Sequence, residues 1–448
     1  MKNSSTSWKS AFAIYAQPKV LGMIVLGISA GLPFGLISTT LSAWLADEHV
    51  SLAVIGYFSL VGVAYSLKVL WSPVIDHLSL PFLQRLLGKR RSWMLLAQSG
   101  IVAGLLLMGS ADLEQDLHWV AMLAVWVAFC SATQDIVIDA YRIEAVALEL
   151  QGAMAAAYVF GYRLALLVAG AGALYLAEFF GWKTAYQALS ATMFLGVVAT
   201  LCIAEPKAHD GDAQVLEKQL EKALGLQKIT NMTARIAKWF VDAVISPFVE
   251  FFQRNGKAAL TILLLVAVYK ISDITMGVMA NPFYLSLGFS KKDIADVTKL
   301  FGFVMTIVGT SFGGVLVAKL GIMRPLLLGA ILSSASNLLF AILAVSAPSL
   351  ILLATVISAD NLSGGIASAA FIAYLSGLTN KSYTATQYAL FSSLMTLPAK
   401  LIGGFSGDLA TALGYQQFFI YSAALGLPAI LLVITIMNRV KKAERIAD

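Results

Sequence analysis

Asp135 and Asp139 stand four residues apart in the run from Ala128 to Ala140, with Ser131 and Gln134 beside them. On a helix that spacing puts both carboxylates on one face. So placed they can hold a proton, bind a cation, or pair with the guanidinium groups of Arg142 and Arg163. Lys270 and Asp273 repeat the theme at a spacing of three. They are close enough to neutralise each other, and an anion or a proton competing for one member would act as a switch; a static pair is the alternative. Lys68, Arg163 and Lys400 have no acid at pairing distance along their own helices. Each needs a partner from another helix or an anionic ligand. Asp360, followed by Asn361 and by Ser363-Gly364-Gly365, is a lone carboxylate in an apolar run. Burial raises a carboxylate's pKa and an opposing cation lowers it, so such a group can change protonation as its surroundings change.

These residues sit in a chain of 448 residues that is 59% hydrophobic and 12% charged, with a mean hydropathy of +0.80. That is too little polar surface for a water-soluble globule. Apolar runs at about 20–46, 52–73, 93–110, 119–139, 152–178, 185–204, 258–281, 295–318, 325–345, 350–376, 386–411 and 417–437 predict twelve transmembrane helices, hence an all-α membrane protein. A charge at bilayer depth costs about 2.5–3.5 kcal/mol unless it faces a partner or water. The third, sixth, ninth and twelfth runs carry none and are expected to face lipid. Charges fall inside the second (Lys68), fourth (Asp135, Asp139), fifth (Arg163), seventh (Lys270, Asp273), tenth (Asp360) and eleventh (Lys400, Asp408). Asp360 lies about ten residues into its run, near the bilayer midplane at 1.5 Å per residue. No run contains a His, so a proton route must use carboxylates: Asp360 first, then Asp135 and Asp139, with Asp273 as the switch partner.

Counting basic residues in alternate loops gives 23 on the side of both termini and three, Lys183, Lys291 and Lys292, on the other. The positive-inside rule then places both termini in the cytosol. Because the basic residues are dispersed among loops, the formal charge of +6 is a topology signal and argues against nucleic acid as a partner. The hydrophilic stretch 205–257 separates an N-terminal bundle, 1–204, from a C-terminal bundle, 258–448, six runs each. Within it Val215, Leu216, Leu220, Ala223 and Leu224 have helical spacing, and a second apolar face gathers from Ile236 to Phe252. Both predict amphipathic helices at the cytosolic surface.

Gly27-Ile28-Ser29-Ala30-Gly31 fits the G-x-S-x-G elbow of serine hydrolases, but it lies within a transmembrane run and all four His are in loops or at their edges. Gly27, Gly31 and Gly35 are better explained as a small-residue stripe for a close-packed neighbour. Neither a nucleotide-binding loop nor an H-E-x-x-H motif occurs, and no cofactor or metal site is expected. Cys130 and Cys202 suit packing better than a disulfide. Trp71, Trp126, Tyr162 and Tyr269 offer faces on which a sugar ring can stack, though each also suits packing or a membrane interface.

Gly31-Leu32-Pro33, Trp71-Ser72-Pro73 with Asp76, Ala128 to Ala140, Gly161-Tyr162-Arg163, Pro247-Phe248 with Phe251-Phe252, Tyr269-Lys270 with Asp273, Asn361-Leu362 with Gly364-Gly365, and Asn380-Lys381-Ser382 with Ala385-Thr386-Gln387 together resemble the AmpG-type muropeptide permeases of the major facilitator superfamily. His77 departs from that pattern, where a basic Arg or Lys is expected after Asp76. The resemblance implies a two-bundle secondary transporter, not an enzyme, in the inner membrane of a Gram-negative cell. It would import N-acetylglucosaminyl-1,6-anhydro-N-acetylmuramyl peptides with protons by alternating access, with cell-wall recycling and β-lactamase induction as the physiology. Lys68, Arg163, Lys270 and Lys400 would meet the stem-peptide carboxylates, and Gln134, Asn361, Trp71, Trp126, Tyr162 and Tyr269 the sugars. Asp76, Arg90, Arg91 and Arg142 would form the cytosolic gate. Partners are the muropeptide, protons and membrane lipid, and a monomer is expected. Other proton-coupled carriers of the same fold, for oligosaccharides or acetyl-coenzyme A, stay open, with a membrane-embedded enzyme a distant third.

Overall fold

The computed structural model describes residues 13–50, 54, 58–206, 238–239 and 241–447. The amphipathic stretch expected at 215–224 lies outside them. The described residues are almost wholly helical, and nine helices among them are long and apolar enough to cross a membrane. Those that carry the argument are α1 (Pro18–Gly35), α2 (Ser72–His77), α3 (Lys89–Met108), α4 (Leu113–Ala145), α5 (Gln151–Leu167), α6 (Phe194–Cys202), α7 (Ser246–Asn255), α8 (Ala259–Val268), α9 (Ile271–Ser286), α10 (Gly302–Leu320), α11 (Met323–Leu343), α12 (Leu350–Leu378), α13 (Thr384–Gly404) and α14 (Leu427–Ala447).

Several breaks interrupt the apolar runs where the backbone leaves helical geometry. The helical stretch 148–202 turns at Gly181, at φ 79°, and Gly414, at φ 74°, turns the chain between α13 and α14. Such left-handed positions favour glycine because no Cβ opposes them. α13 ends at Gly404, and Asp408 stands in the first turn of the next helix, Ser406–Ala424. Between α8 and α9 Lys270 itself interrupts the helix, at φ −101° and ψ 0°.

Two pairs of apolar clusters make up the interior. One pair draws almost entirely on residues before the 205–257 stretch, around Leu36, Trp44, Val127 and Met154; the other draws on residues after it, around Phe283, Phe340, Phe371 and Phe391. Lipid is as apolar as leucine, so close van der Waals approach, and not exclusion of water, holds membrane helices together. The glycine stripe of α1 supplies that approach. A Cβ at Gly27 would lie 2.2 Å from Tyr158 O of α5, and one at Gly161 1.9 Å from Ile24 O of α1. On the outside, α3, α6, α11 and α14 expose Leu107, Phe194, Leu195, Val198, Ile331, Ile342 and Leu431. These helices fall in the third, sixth, ninth and twelfth apolar runs, which lack interior charge, and their apolar strips are suited to acyl chains.

Candidate functional site

Three groups of polar residues occupy the interior, two at membrane depth and one at the basic end, which carries Arg85, Lys89, Arg90, Arg91, Arg142 and Lys381. In the first half Asp139 Oδ2 lies 3.7 Å from Lys68 Nζ, and Asp139 Oδ1 accepts from Arg142 Nη2 at 3.3 Å. Asp135, one turn earlier on α4, takes a different partner, the Tyr158 hydroxyl at 3.3 Å. Tyr158 leads to Tyr162 and Phe34, with ring centroids 5.9 Å and 6.2 Å apart in turn. Trp71 donates its indole N–H to Thr133 Oγ1 at 3.1 Å and packs on Phe129. Lys68 thereby finds the partner from another helix that its own helix lacks.

In the second half Lys270 Nζ donates to Asp273 Oδ2 at 2.8 Å and to Ser368 Oγ of α12 at 3.0 Å. The helix break at Lys270 lets its side chain serve both. Asp360 accepts from Ser336 Oγ at 3.2 Å, and the charges of Asp273 and Lys270 are near enough to act on it. Proton or anion binding at any one of Lys270, Asp273 and Asp360 therefore changes the field at the other two. Among the described residues Lys400 has no acidic partner; its ammonium donates to Ser66 Oγ across the two halves at 3.1 Å. Arg163 is exposed on α5, and among the described residues it meets no hydrogen-bond acceptor, so its expected pairing with the α4 carboxylates does not form.

At the basic end the halves are latched. Arg90 Nη2 lies 2.9 Å from Asp76 Oδ1 and 2.6 Å from Glu144 Oε1, and it donates to Thr384 Oγ1 at 2.6 Å. Thr384 in turn donates to Glu144. Across the interface the Ala385 and Thr386 N–H groups donate to the Asp76 carboxylate at 3.2 and 2.7 Å. These are orphan donors at the start of α13, whose N-cap residue Tyr383 offers no side-chain cap. Burial alone would raise the Asp76 pKa, but Arg90, Lys89 and the Thr386 N–H outweigh it and hold the carboxyl below its ordinary range. Arg142 adds a second tie, donating to Ser376 Oγ of α12 at 2.8 Å and to Gln151 Oε1 at 2.9 Å, with its guanidinium 5.1 Å from the Tyr388 ring centre.

Five expected site residues stand elsewhere. Gln134 is fully buried inside the first half, where Ser29 Oγ donates to it at 3.2 Å and Gln98 and Thr200 extend the chain of hydrogen bonds. In this arrangement its side chain faces the first-half core. Ser29 of the elbow-like motif is thus bonded to amides within a helix bundle. Trp126 is half exposed on an apolar strip with Met122, Val125 and Phe129, and its N–H donates to Gly100 O of α3. Tyr269 is buried, stacked on Phe371 with centroids 4.2 Å apart, and its hydroxyl donates to Leu326 O. Asn361 is held between Thr306 and Ile357 O. Arg91 is no part of the latch: it donates to Thr200 O and Leu201 O at the end of α6. Glu144, Thr384, Ser376 and Tyr388 were missed; only the parity of Glu144 with Arg142 near the end of one helix hinted at them.

Comparison with known proteins adds relatives to this geometry. Residues 23–399 match the family model described as Major Facilitator Superfamily. The chain is 37% identical over 94% of its length to the anhydromuropeptide permease of Escherichia coli strain K12, covering 80% of that protein. It is 36% identical to the putative transporter AmpG 4 of Rickettsia felis, covering 95% of this chain and 98% of that one. Among solved structures, the proton:xylose symporter XylE bound to 6-bromo-6-deoxy-D-glucose aligns with a TM-score of 0.61 over 97% of this chain and 96% of that one; its 12% identity bears on the fold alone.

Proposed function

Because the chain belongs to the Major Facilitator Superfamily and, within it, to the family of the anhydromuropeptide permease, we propose that it carries anhydromuropeptides inward across the inner membrane by proton-coupled alternating access. The observation that carries the cargo is the 37% identity to that permease over 94% of the chain, which spans every cluster described above. The basic end is the cytosolic end in this reading, since it holds most of the loop Lys and Arg. The unit before residue 205 and the unit after 257 are the two bundles that rock, with twelve crossings in all.

Among the described residues the side-chain hydrogen bonds between the halves run from the basic end to mid-depth, at Tyr15, Ser66, Asp76, Arg90 and Arg142. That is the arrangement of a carrier closed toward the cytosol and ready to take cargo from the other side. Stem-peptide carboxylates would be drawn to Arg163 and Lys400, which meet no acidic partner among the described residues. Lys68 and Lys270 can exchange Asp139 and Asp273 for a ligand carboxylate, and Trp71 and Tyr162 offer the sugar its ring faces. A proton arriving at Asp360 would remove one negative charge from this set, so that a cargo carboxylate could compete with Asp273 for Lys270. The coupling is then electrostatic: cargo and proton both act on one small set of charges.

Uptake of labelled N-acetylglucosaminyl-anhydromuramyl tripeptide into proteoliposomes, with and without an inward pH gradient, tests this. Accumulation above the outside concentration that needs the gradient is expected. Uptake that merely equilibrates at every pH would remove the coupling, and no uptake at all would remove the cargo.

A further inference from the structure

Helix α7, in the stretch between the two halves, grips the loop that leads into α13. Glu250 Oε1 accepts from Asn380 Nδ2 at 2.9 Å and its Oε2 accepts from Gln387 Nε2 at 2.7 Å. Gln387 also donates to Pro247 O at 2.8 Å and accepts the Asn380 N–H at 2.8 Å. From the next turn of α7, Arg254 donates to Glu250 at 2.7 Å and to Leu378 O, the end of α12, at 2.6 Å. The loop between α12 and α13 is thus fastened at both of its ends to one short helix.

Apolar packing fixes this seat only in part. Phe251 is buried against Phe391, with ring centroids 5.2 Å apart, yet a cavity of about 150 Å³ lined by Phe248, Phe252, Leu390 and Leu394 remains between α7 and α13. An interface with such a gap has lost part of its dispersion contact. The hydrogen bonds of Glu250 then set where α13 begins. What begins there are the Ala385 and Thr386 N–H groups that receive Asp76 from the other half. The near end of the same interdomain stretch is tied to the other side of the latch: Glu205 accepts the Arg90 and Arg91 N–H groups at 2.7 and 3.1 Å.

We infer that α7 is a working part of the cytosolic gate and that Glu250 is a positioning residue, which acts through Asn380 and Gln387 to aim the start of α13 at Asp76. The inference rests on the transport reading for its purpose but not for its measurement. Spin labels at Arg85→Cys and Arg324→Cys, both exposed at the basic end on opposite halves, report the gap between the halves once Cys130→Ala and Cys202→Ser remove the native thiols. Distances are read on the full chain in lipid vesicles without cargo.

Glu250→Ala is expected to lower the closed-to-open ratio roughly tenfold, the effect of losing hydrogen bonds to a charged group. Glu250→Gln, which keeps an acceptor oxygen, should fall between, and Gln253→Ala, an exposed residue of α7, should leave the ratio unchanged. Melting temperatures of all three are measured alongside; if Glu250→Ala does not fold, Glu250→Gln decides. A distance distribution in the folded Glu250 variants identical to that of the parent overturns the inference. A parent that shows the expected distances but no muropeptide uptake would sink the proposed cargo and leave this inference standing.

Discussion

Asp76 and Thr386, separated by 310 positions in the chain, meet across the interface of the two halves: the Thr386 N–H donates to the Asp76 carboxylate at 2.7 Å. The contact joins a side chain from one half to the uncapped backbone of the other. It therefore depends on the direction in which α13 points as much as on the acid itself.

Asp76 should make gate closure insensitive to pH over the working range. Its pKa in the closed form lies below the ordinary carboxylate value, so its contribution is fully present above about pH 4 and is lost only as pH falls through the lowered value. Distances between the Arg85 and Arg324 labels are expected to be constant from pH 8 to pH 5. A gate that opens within that window would show that a titrating group other than Asp76 controls closure.

Arg90→Ala should open the gate. Removing one partner of a buried ion pair costs about 3–5 kcal/mol, and this cation serves both Asp76 and Glu144. The closed fraction read by the Arg85→Cys and Arg324→Cys labels should fall by two orders of magnitude or more. An unchanged distance distribution would mean that Arg142, through Ser376, holds the gate by itself.

Asp360→Asn should abolish gradient-driven accumulation while cargo exchange is kept in part, since the amide can still accept from Ser336 but cannot titrate. Normal accumulation at every pH would assign the proton to Asp135 or Asp139.

Arg163→Ala should weaken uptake of peptide-bearing cargo about tenfold or more and leave the bare disaccharide little changed, because only the peptide carries several free carboxylates. Competition assays with the two cargoes measure the difference. An equal loss for both would mark Arg163 as structural.

Tyr269→Phe should cost about 1 kcal/mol of stability through its bond to Leu326 O, with the half-saturating cargo concentration unchanged. A raised half-saturation constant in this variant would return Tyr269 to the binding surface.

Much of the frame was legible in the apolar runs, and the Gly27-Gly31-Gly35 stripe and the Lys270–Asp273 pair could be drawn from spacing alone. What escaped followed from rotation and from distance. Gln134 adjoins Asp135, yet one residue turns a helix by about 100°, enough to carry its amide into the first-half core toward Ser29. Tyr269 adjoins Lys270 in the same way and turns inward at the helix break. The helix break before Asp408 is hidden in the sequence, because Gly403, Gly404 and Phe405 keep the run apolar where α13 ends. The Glu144–Thr384 contact bridges 240 residues, and no local pattern announces it.

Glu205 caps the first N–H groups of α3 while Arg91, at the start of α3, takes the last carbonyls of α6. This exchange rivets two outer rods together at their ends. When the lobes tilt, the pair must swing as one lever, so the bending has to be taken up farther in, by helices such as α1 and α13 that carry Pro33 and Pro398. Slack at the periphery would absorb the stroke; this fastening delivers it to the centre.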